Sequence, residues 1–241
     1  MSSGDVENYS GTCSVCGREG VFTLREWPPR ESYQCTGCGS TLRYRHQAET
    51  LVELYSRAGS KALSELVHEP QFRELSVYEP GMTGPLRPYL STLPDYGQSY
   101  YWADLAPGDF RQGLRCENLE QLTLPDRSVD LVITSDIFEH VRRSWHAFAE
   151  MHRILRPRGW HIFTVPFDTQ HATRPRVDVS EDGDILLMPR RHHGSPVDPD
   201  GSVVYTDFGQ DLPERLEFLG FKVTMSEARN RSHTFACERV A

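Results

Sequence analysis

The stretch SVDLVITSDIFEHVRRSWHAFAEMHRILRPRGWHIFTVP, residues 128–166, decides the fold. Two short, mostly apolar runs, 129–133 and 162–165, are typical of strands that are covered on both faces. Between them, apolar residues recur at helical spacing: Trp145, Phe148, Met151, Ile154 and Leu155. Ser144 is a candidate cap for this helix, and Pro157 and Gly159 are expected to end it. The order predicts one right-handed crossover of a parallel sheet.

Length and composition narrow the class of protein. With 241 residues the chain can form one main domain and a small appendage. A formal net charge of -8 argues against nucleic acid or an anionic membrane as a general partner, because both attract basic surfaces. No apolar run approaches the length of a membrane span, and the first ten residues lack the pattern of a signal peptide. We therefore expect a cytoplasmic protein.

Four of the six cysteines form two CxxC pairs, Cys13 with Cys16 and Cys35 with Cys38, separated by 18 residues. This spacing predicts a four-cysteine metal site in a reducing compartment. Tetrahedral Zn²⁺ is the preferred ion, because a structural site takes four thiolates and no open position. Iron bound as in rubredoxin and a redox dithiol remain alternatives. In either metal case we expect the ion to hold together a segment too small to fold alone.

The predicted organisation has four parts. Residues 1–12 form a flexible tail, 13–45 a zinc ribbon, 46–70 linking helices and 71–241 the main domain, with an insertion at 168–207. Basic and aromatic residues occur in and just after the ribbon: Arg25, Arg30, Arg43, Arg45, His46, Trp27, Tyr33 and Tyr44. They could bind RNA. We favour a solvated face that docks on the acidic main domain, given the net charge.

Three segments before residue 128 place polar or glycine residues after an apolar run. They are 75–84 (LSVYEPGMTG), 99–105 (SYYWADL) and 114–126 (LRCENLEQLTLPD). A glycine turn after a strand lets the backbone approach a ligand, and a carboxylate can accept from two vicinal hydroxyls. Each segment also has a plainer interpretation: a Pro-Gly turn, a capping aspartate and a polar strand end.

Together with these segments, VDLVITSDIFEHV followed by EMHRILRPRGWHIFTVP resembles class I S-adenosylmethionine (SAM) dependent methyltransferases. The resemblance implies an α/β fold with a Rossmann-like, mainly parallel seven-stranded sheet and an antiparallel carboxy-terminal edge. It also implies a set of SAM-binding residues: Glu79, Gly81, Gly84, Asp104, Asn118, Leu119 and Ser135. The glycine loop departs from the family in lacking its middle glycine and one residue of length, and Asn118 stands where members commonly carry Asp.

The same resemblance implies roles for individual residues. Glu79 would hold the amino end of the cofactor, Asp104 both ribose hydroxyls and Asn118 the adenine amino group. The EHV triplet places His140 beside the site of methyl transfer, where a general base can act; a histidine that only stabilises its loop is the alternative.

The insertion is the main departure from a minimal methyltransferase domain. A loop this long inside a compact domain is usually a lid or a binding element. Its end, RRHHGSPVDPDGSVVYTDFG at 190–209, resembles the tail of a bacterial methyltransferase subgroup. Our candidate for substrate chemistry is His193; the alternates are His192, His171, Asp168 and Tyr205. For any single one of them, a surface residue without catalytic function is the plainer interpretation.

We therefore expect a SAM-dependent methyltransferase that moves a methyl group to an oxygen or nitrogen nucleophile of a small molecule, such as a sugar-containing or biosynthetic intermediate. Two alternatives remain. One is an RNA methyltransferase whose zinc ribbon binds the substrate. The other is a non-catalytic binding protein on a degenerate methyltransferase fold, which a failure to bind SAM would reveal.

Overall fold

The computed structural model describes residues 8–180, 183–194, 199–229 and 232–240. The α-helices in these ranges are α1 (Leu42–Tyr55), α2 (Leu63–Leu66), α3 (Pro70–Arg73), α4 (Arg87–Leu90), α5 (Ser144–Ile154) and α6 (Leu212–Phe218). Two short 3₁₀ turns cover Pro29–Glu31 and Phe138–His140.

The strands in chain order are β1 (Asn8–Thr12), β2 (Glu19–Thr23), β3 (Val77–Pro80), β4 (Tyr96–Tyr100), β5 (Phe110–Arg111), β6 (Leu114–Cys116), β7 (Val129–Ser135), β8 (Leu155–Thr164), β9 (Phe167–Asp168), β10 (Arg174–Pro175), β11 (Val177–Asp178), β12 (Ile185–Leu186), β13 (His192–His193), β14 (Ser202–Val203), β15 (Thr206–Gly209), β16 (Phe221–Ala228) and β17 (Ser232–Arg239).

The chain divides into two compact units. Unit 1 comprises Met1–Leu75, Gly84–Tyr96 and Met225–Thr234. Unit 2 comprises Ser76–Thr83, Gly97–Thr224 and Phe235–Ala241. The division differs from the predicted boundary near residue 70, because two later segments of the chain belong to the unit of the cysteine pairs.

The main sheet is mixed and mostly parallel, with the order β16-β17-β8-β7-β3-β4-β6-β5. β7 pairs in parallel with both β3 and β8, and β4 with β6. β17 pairs with β8 in the antiparallel direction, as expected for the carboxy-terminal edge. The sheet has eight strands, so the expected seven is wrong by one. The additional strand is β5, whose Phe110 pairs antiparallel with Arg115 at the opposite edge.

The crossover predicted from residues 128–166 is present as β7, α5 and β8, but its details differ. The helix ends at Ile154, and β8 begins at once. Pro157 and Gly159 therefore lie in an irregular part of the strand and do not end the helix. A Cβ at Gly159 would lie 2.9 Å from the carbonyl oxygen of Asp130, so only glycine fits there. Ser144 is itself the first helical residue, and Arg143 occupies the cap position without a side-chain cap bond.

An aromatic cluster forms the centre of the core of unit 2. The ring of Phe148 stacks on Phe138 at 4.0 Å and lies 5.3 Å from Phe163 and 6.0 Å from Phe208. These four phenylalanines are at most 1% exposed. Because Phe138 opens the 3₁₀ turn after β7, the cluster fixes the position of that turn.

The insertion at 168–207 has regular structure over its described part. Short antiparallel pairs join β11 to β12, β13 to β14 and β10 to β15, while β9 and β15 are parallel. Residues 181–182 and 195–198 of the insertion lie outside the described residues. The expectation of a long loop is thus replaced by a series of small hairpins.

Unit 1 begins with the β1–β2 hairpin, which corrects the expected flexible tail at 8–12; residues 1–7 lie outside the described residues. The ring of Tyr9 lies 5.0 Å from Phe22 and 5.3 Å from Tyr33, and these contacts hold the strand. No described helix has the length and apolar character that crossing a bilayer requires.

The arginines that follow the cysteine pairs are buried. Arg43 is 7% exposed and donates twice to Glu31, at 2.8 and 3.2 Å. Arg45 is 5% exposed, lies 3.7 Å over the ring of Phe22 and donates to the carbonyl oxygen of Tyr33 at 3.0 Å. The interpretation of these two residues as a solvated face is therefore wrong, because internal partners use both guanidinium groups.

Candidate functional site

The four cysteines of the CxxC pairs lie together in unit 1. Cys13 and Cys38 have their sulfur atoms 3.8 Å apart, and Cys16 and Cys35 3.6 Å apart. All four sulfurs are within 4.8 Å of one another. Zinc–sulfur bonds of about 2.3 Å at tetrahedral angles place sulfur atoms about 3.8 Å apart. The donor atoms and their spacing therefore fit a tetrahedral Zn²⁺ site.

The local backbone explains how each pair converges. Gly17 donates to the carbonyl oxygen of Cys13, and Gly39 to that of Cys35, both at 2.8 Å. Both glycines have positive φ angles, 75° and 72°, which side chains with a Cβ rarely adopt. The glycine after each second cysteine thus closes a tight turn around the sulfurs.

One hydrogen bond divides the Cys13–Cys38 pair into a thiolate and a thiol. It lowers the pKa of the Cys13 thiol to about 4 and raises the pKa of the Cys38 thiol, and burial raises the pKa of Cys16. The hydroxyl of Ser40 lies 3.4 Å from the Cys13 sulfur and 3.1 Å from the Cys38 sulfur. Thiolates are the form that binds metal, so Cys13 is suited to coordination as it stands, whereas Cys16 and Cys38 would release their protons when an ion binds.

A second candidate site lies at the end of β3 in unit 2. Glu79 is 6% exposed near the end of the strand, and the chain turns at Gly81 with φ 115°. The Gly81 amide donates to the carbonyl oxygen of Ser99 in β4 at 2.8 Å, and the Gln98 side chain donates to the Gly81 oxygen at 3.0 Å. A buried carboxylate and a glycine turn therefore meet at a strand end. Gly84 belongs to unit 1.

Asp104 does not occupy the expected position at a strand end. β4 ends at Tyr100, and Asp104 lies in the following turn with its side chain 73% exposed. Arg111 donates to both carboxylate oxygens, at 3.1 and 2.9 Å, and is the main cause of a lowered pKa of Asp104. The carboxylate is ionised, but its two oxygens already have a bidentate partner.

The residues that end or follow β6 and β7 differ in their burial and in their hydrogen-bond partners. The Asn118 side-chain oxygen accepts from the Glu120 amide at 3.0 Å, so a local turn uses part of its acceptor capacity. Leu119 is 8% exposed and packs in the core cluster. Ser135 is the last residue of β7. Asp136, which follows it, has a positive φ of 52° and accepts from the hydroxyl of Thr164 at 3.0 Å.

The structure brings both candidate catalytic histidines to one carboxylate, that of Glu139. His140 Nε2 lies 3.7 Å and His193 Nδ1 3.6 Å from Glu139 Oε1. The two rings are 5.1 Å apart and perpendicular. Sequence reasoning did not select Glu139, although its position inside the EHV triplet was a usable signal.

The alternates to His193 have other surroundings. His192 is exposed in β13. Asp168 and His171 form their own contact, with 2.7 Å between carboxylate and imidazole. The Tyr205 amide donates to the Glu139 carbonyl oxygen at 2.7 Å, and burial raises the pKa of its phenol. Of the alternates, only Tyr205 thus has a hydrogen bond to Glu139 among the described residues.

Parallel pairing of β3 and β7 places their carboxyl ends at the same edge of the sheet. The Gly81 turn and the Glu139 turn follow those two ends, where ligands bind in open α/β sheets. The same edge of this Rossmann-like sheet therefore carries a glycine turn and a group of ionisable side chains.

Residues 89–163 match a family described as "Methyltransferase domain". Two curated proteins named "Uncharacterized methyltransferase", from Mycobacterium avium and Mycolicibacterium paratuberculosis, are each 35% identical over 76 residues. That stretch is 32% of this chain and 30% and 29% of the two relatives, so the chain matches less than a third of their length.

Solved methyltransferase structures are similar in outline. A SAM-dependent methyltransferase from Mesorhizobium loti is 17% identical with a TM-score of 0.43, over 68% of this chain and 90% of the other. The 1,6-didemethyltoxoflavin-N1-methyltransferase of Burkholderia thailandensis, with bound S-adenosylhomocysteine, is 13% identical with a TM-score of 0.44, over 92% and 96%. At these values the likeness assigns neither substrate nor residue roles.

Proposed function

We propose that this protein is a SAM-dependent methyltransferase that transfers a methyl group to an oxygen or nitrogen atom of a small molecule. The observation that carries the proposal is the methyltransferase-domain match over residues 89–163, which contain β4, β6, β7 and α5. The buried Glu79 and the Gly81 turn, at the sheet edge where such cofactors bind, support it.

SAM, when bound, supplies an electrophilic methyl group on a positively charged sulfur. The residues of this chain would bind and orient it: Glu79 at its amino end, Gly81 by close backbone approach, and Asn118, Leu119 and Ser135 along the adenosyl part. Most of the acceleration would come from aligning the acceptor atom with the methyl group. A base is needed only if the acceptor must lose a proton, and His140 or His193 can hold that proton.

The positions of Glu79 and Gly81 support their proposed roles in binding the cofactor, whereas the carboxylate of Asp104 is already bonded to Arg111. For Asp104 to bind ribose hydroxyls, its contact with Arg111 must open. An exposed ion pair of this kind contributes little to stability, so the cost of opening it is small. The proposal therefore includes a change of partner at Asp104 when the cofactor binds.

We propose that the four cysteines of unit 1 bind one Zn²⁺ that is structural. The tetrahedral sulfur spacing and the two positive-φ glycines support this ion. A site with four protein ligands leaves no position for a substrate, so the metal would hold the β1–β2 hairpin and the turn of Cys35 and Cys38 together. The reducing conditions that free thiolates need are those of the cytoplasm.

A small-molecule acceptor is favoured over RNA for two reasons. The net charge is -8, and RNA binding draws on exposed basic side chains. Arg43 and Arg45, the best candidates for RNA contacts, are buried and bonded inside unit 1. A specific acceptor is not proposed, because the residues do not distinguish one class of small molecule from another.

Isothermal titration of S-adenosylhomocysteine into the full chain tests the cofactor site. Wild type should bind it, and Glu79→Gln should weaken binding at least about tenfold, since a charge-assisted hydrogen bond is worth about 1.5–3 kcal/mol. Glu74→Gln, at an exposed position, is the matched control and should bind like wild type. Absence of binding by wild type would remove the enzyme interpretation and favour a non-catalytic protein on this fold.

The same titration, carried out on two further variants, tests the contact between Asp104 and Arg111. If the carboxylate binds ribose, Asp104→Asn lowers affinity, while Arg111→Ala frees the carboxylate and maintains or raises affinity. Equal losses in both variants would show that the ion pair only shapes the turn, and Asp104 would then be withdrawn as a ligand of the cofactor.

A further inference from the structure

Glu139 is in an unusual position for a carboxylate. Its side chain is 2% exposed, and within the described residues neither of its oxygens has a hydrogen-bond partner. Burying an ionised carboxylate without a partner costs several kcal/mol. The aromatic cluster explains why the turn is rigid, because Phe138 is fully buried and stacked on Phe148. It does not explain which group stabilises the charge.

The two neighbouring histidines approach Glu139 at 3.6 and 3.7 Å, too far for hydrogen bonds. His140 Nδ1 lies 2.8 Å from the carbonyl oxygen of Val203. A carbonyl oxygen can only accept, so Nδ1 carries the proton and donates it. In the neutral ring, Nε2 is therefore unprotonated and lies 3.7 Å from the carboxylate oxygen. Two such electron-rich atoms at close range are unfavourable unless a proton or a metal ion lies between them.

This arrangement has the features of a metal site. Ligating histidines usually donate their second ring N–H to a carbonyl or carboxylate, as His140 does with Val203. Metal bonds of about 2.0–2.2 Å separate the ligand atoms of a tetrahedral site by about 3.3–3.5 Å, a few tenths of an ångström less than the distances here. The three ligand atoms all lie within 4.8 Å of one another.

We propose that Glu139, His140 and His193 bind a divalent first-row transition-metal ion, with His140 through Nε2 and His193 through Nδ1. Two imidazoles and one carboxylate suit Zn²⁺ or Fe²⁺ and leave at least one position for a water or a substrate oxygen. This site is separate in ligands and chemistry from the four-cysteine cluster. Its ligands come from the turn after β7 and from β13, so the ion would fix the β13–β14 hairpin to the sheet edge.

If the protein transfers a methyl group to oxygen, as proposed above, an ion here would bind the acceptor hydroxyl and lower its pKa. The proton would then leave to solvent, because His140 and His193 as metal ligands cannot also accept it, and the oxygen would attack as an anion. This role rests on the proposed function, whereas the metal site itself does not.

Zinc stoichiometry of the full chain tests the site. The protein is purified with zinc, dialysed, titrated calorimetrically with ZnCl₂, and its bound zinc is counted by mass spectrometry. Glu139→Gln and His193→Ala should each bind one equivalent less than wild type. The loss of affinity at this site should be about 100-fold or more, because changing only the partners of metal ligands already costs about 10–100-fold.

Matched controls are Glu214→Gln and His146→Ala, both at exposed positions on helices, and they should match wild type in stoichiometry. Zinc at saturating concentration should raise the melting temperature of wild type and both controls more than that of Glu139→Gln. Because the test compares the zinc stoichiometry of wild type and variant, the result does not depend on the zinc occupancy of the cysteine cluster.

Equal zinc stoichiometry in wild type and Glu139→Gln, with both folded by circular dichroism, would overturn the proposal, and the cluster would then be a carboxylate sharing protons with two histidines. The two proposals fail separately. Binding of S-adenosylhomocysteine without the additional zinc refutes only the metal site, and the additional zinc without S-adenosylhomocysteine binding refutes only the methyltransferase.

Discussion

Truncation of Phe148 to alanine should be among the most destabilising single changes in unit 2. The side chain is fully buried, and the rings of Phe138, Phe163 and Phe208 lie 4.0–6.0 Å from its own. A buried Phe→Ala change costs about 3–5 kcal/mol, with the larger values where the surroundings cannot collapse. The neighbouring rings come from three separate elements, each anchored by its own packing, so we expect a cost of about 4–5 kcal/mol.

Urea unfolding measures this loss. With a slope of about 2–3 kcal/mol/M, the midpoint should fall by about 1.3–2.5 M. Trp145 lies 5.7 Å from Phe148 and is one of the four tryptophans that contribute to the fluorescence signal, and far-ultraviolet circular dichroism follows the loss of secondary structure. Phe218→Ala is the matched control, since Phe218 is 92% exposed and should change stability by less than about 0.5 kcal/mol. A midpoint shift below about 0.5 M for Phe148→Ala, or equal shifts for both variants, would refute the reasoning.

Three further outcomes are expected. Mass spectrometry should show that Cys35→Ser has lost about one zinc per chain. Cys116→Ser changes a buried cysteine far from the CxxC pairs in sequence and should keep that zinc. Equal zinc contents in the two variants would contradict the cysteine site. Burial lowers the pKa of His161 to about 3, so the ring is neutral when folded but takes up a proton on unfolding below about pH 6.5. The free energy of unfolding should therefore decrease as pH falls from 7 to 5. In urea titrations, His161→Phe should make this decrease smaller by about 2 kcal/mol, and parallel pH profiles of the variant and wild type would disprove the reasoning. Arg45→Ala should destabilise unit 1 by about 2–4 kcal/mol, because it removes a buried guanidinium that packs on Phe22, while Arg57→Ala at an exposed site should be near neutral; comparable midpoints would show that Arg45 is solvated after all.

Much of the fold could be read from local pattern. The crossover of β7, α5 and β8 follows from two buried apolar runs and a helical repeat between them, and α6 and the last two strands lie where turn residues bound apolar segments. The glycines after Cys16 and Cys38 have the positive φ that a cysteine knuckle requires. These features depend on neighbours within a few residues, which a sequence shows directly.

Other features depend on distant partners that a sequence does not show. The role of Asp104 as a cofactor ligand stays a prediction, but its contact with Arg111, across a hairpin that no apolar repeat indicates, could not be read from the sequence. The net charge predicts a solvated face at Arg43 and Arg45, yet both are buried, Arg43 against Glu31 and Arg45 against Phe22. The charge or polarity of a residue does not indicate whether a distant residue will form an ion pair or hydrogen bond with it in the folded chain.

The sequence by itself determined the parallel crossover, the paired cysteines and the glycine turn after β3, because local periodicity, ligand spacing and backbone freedom are properties of short segments. Only the tertiary structure decided that His193 reaches Glu139 and His140, more than fifty positions earlier in the chain. That meeting depends on how the β13–β14 hairpin packs against the turn after β7. Packing of this kind is set by the burial of many side chains at once and leaves no short pattern to read.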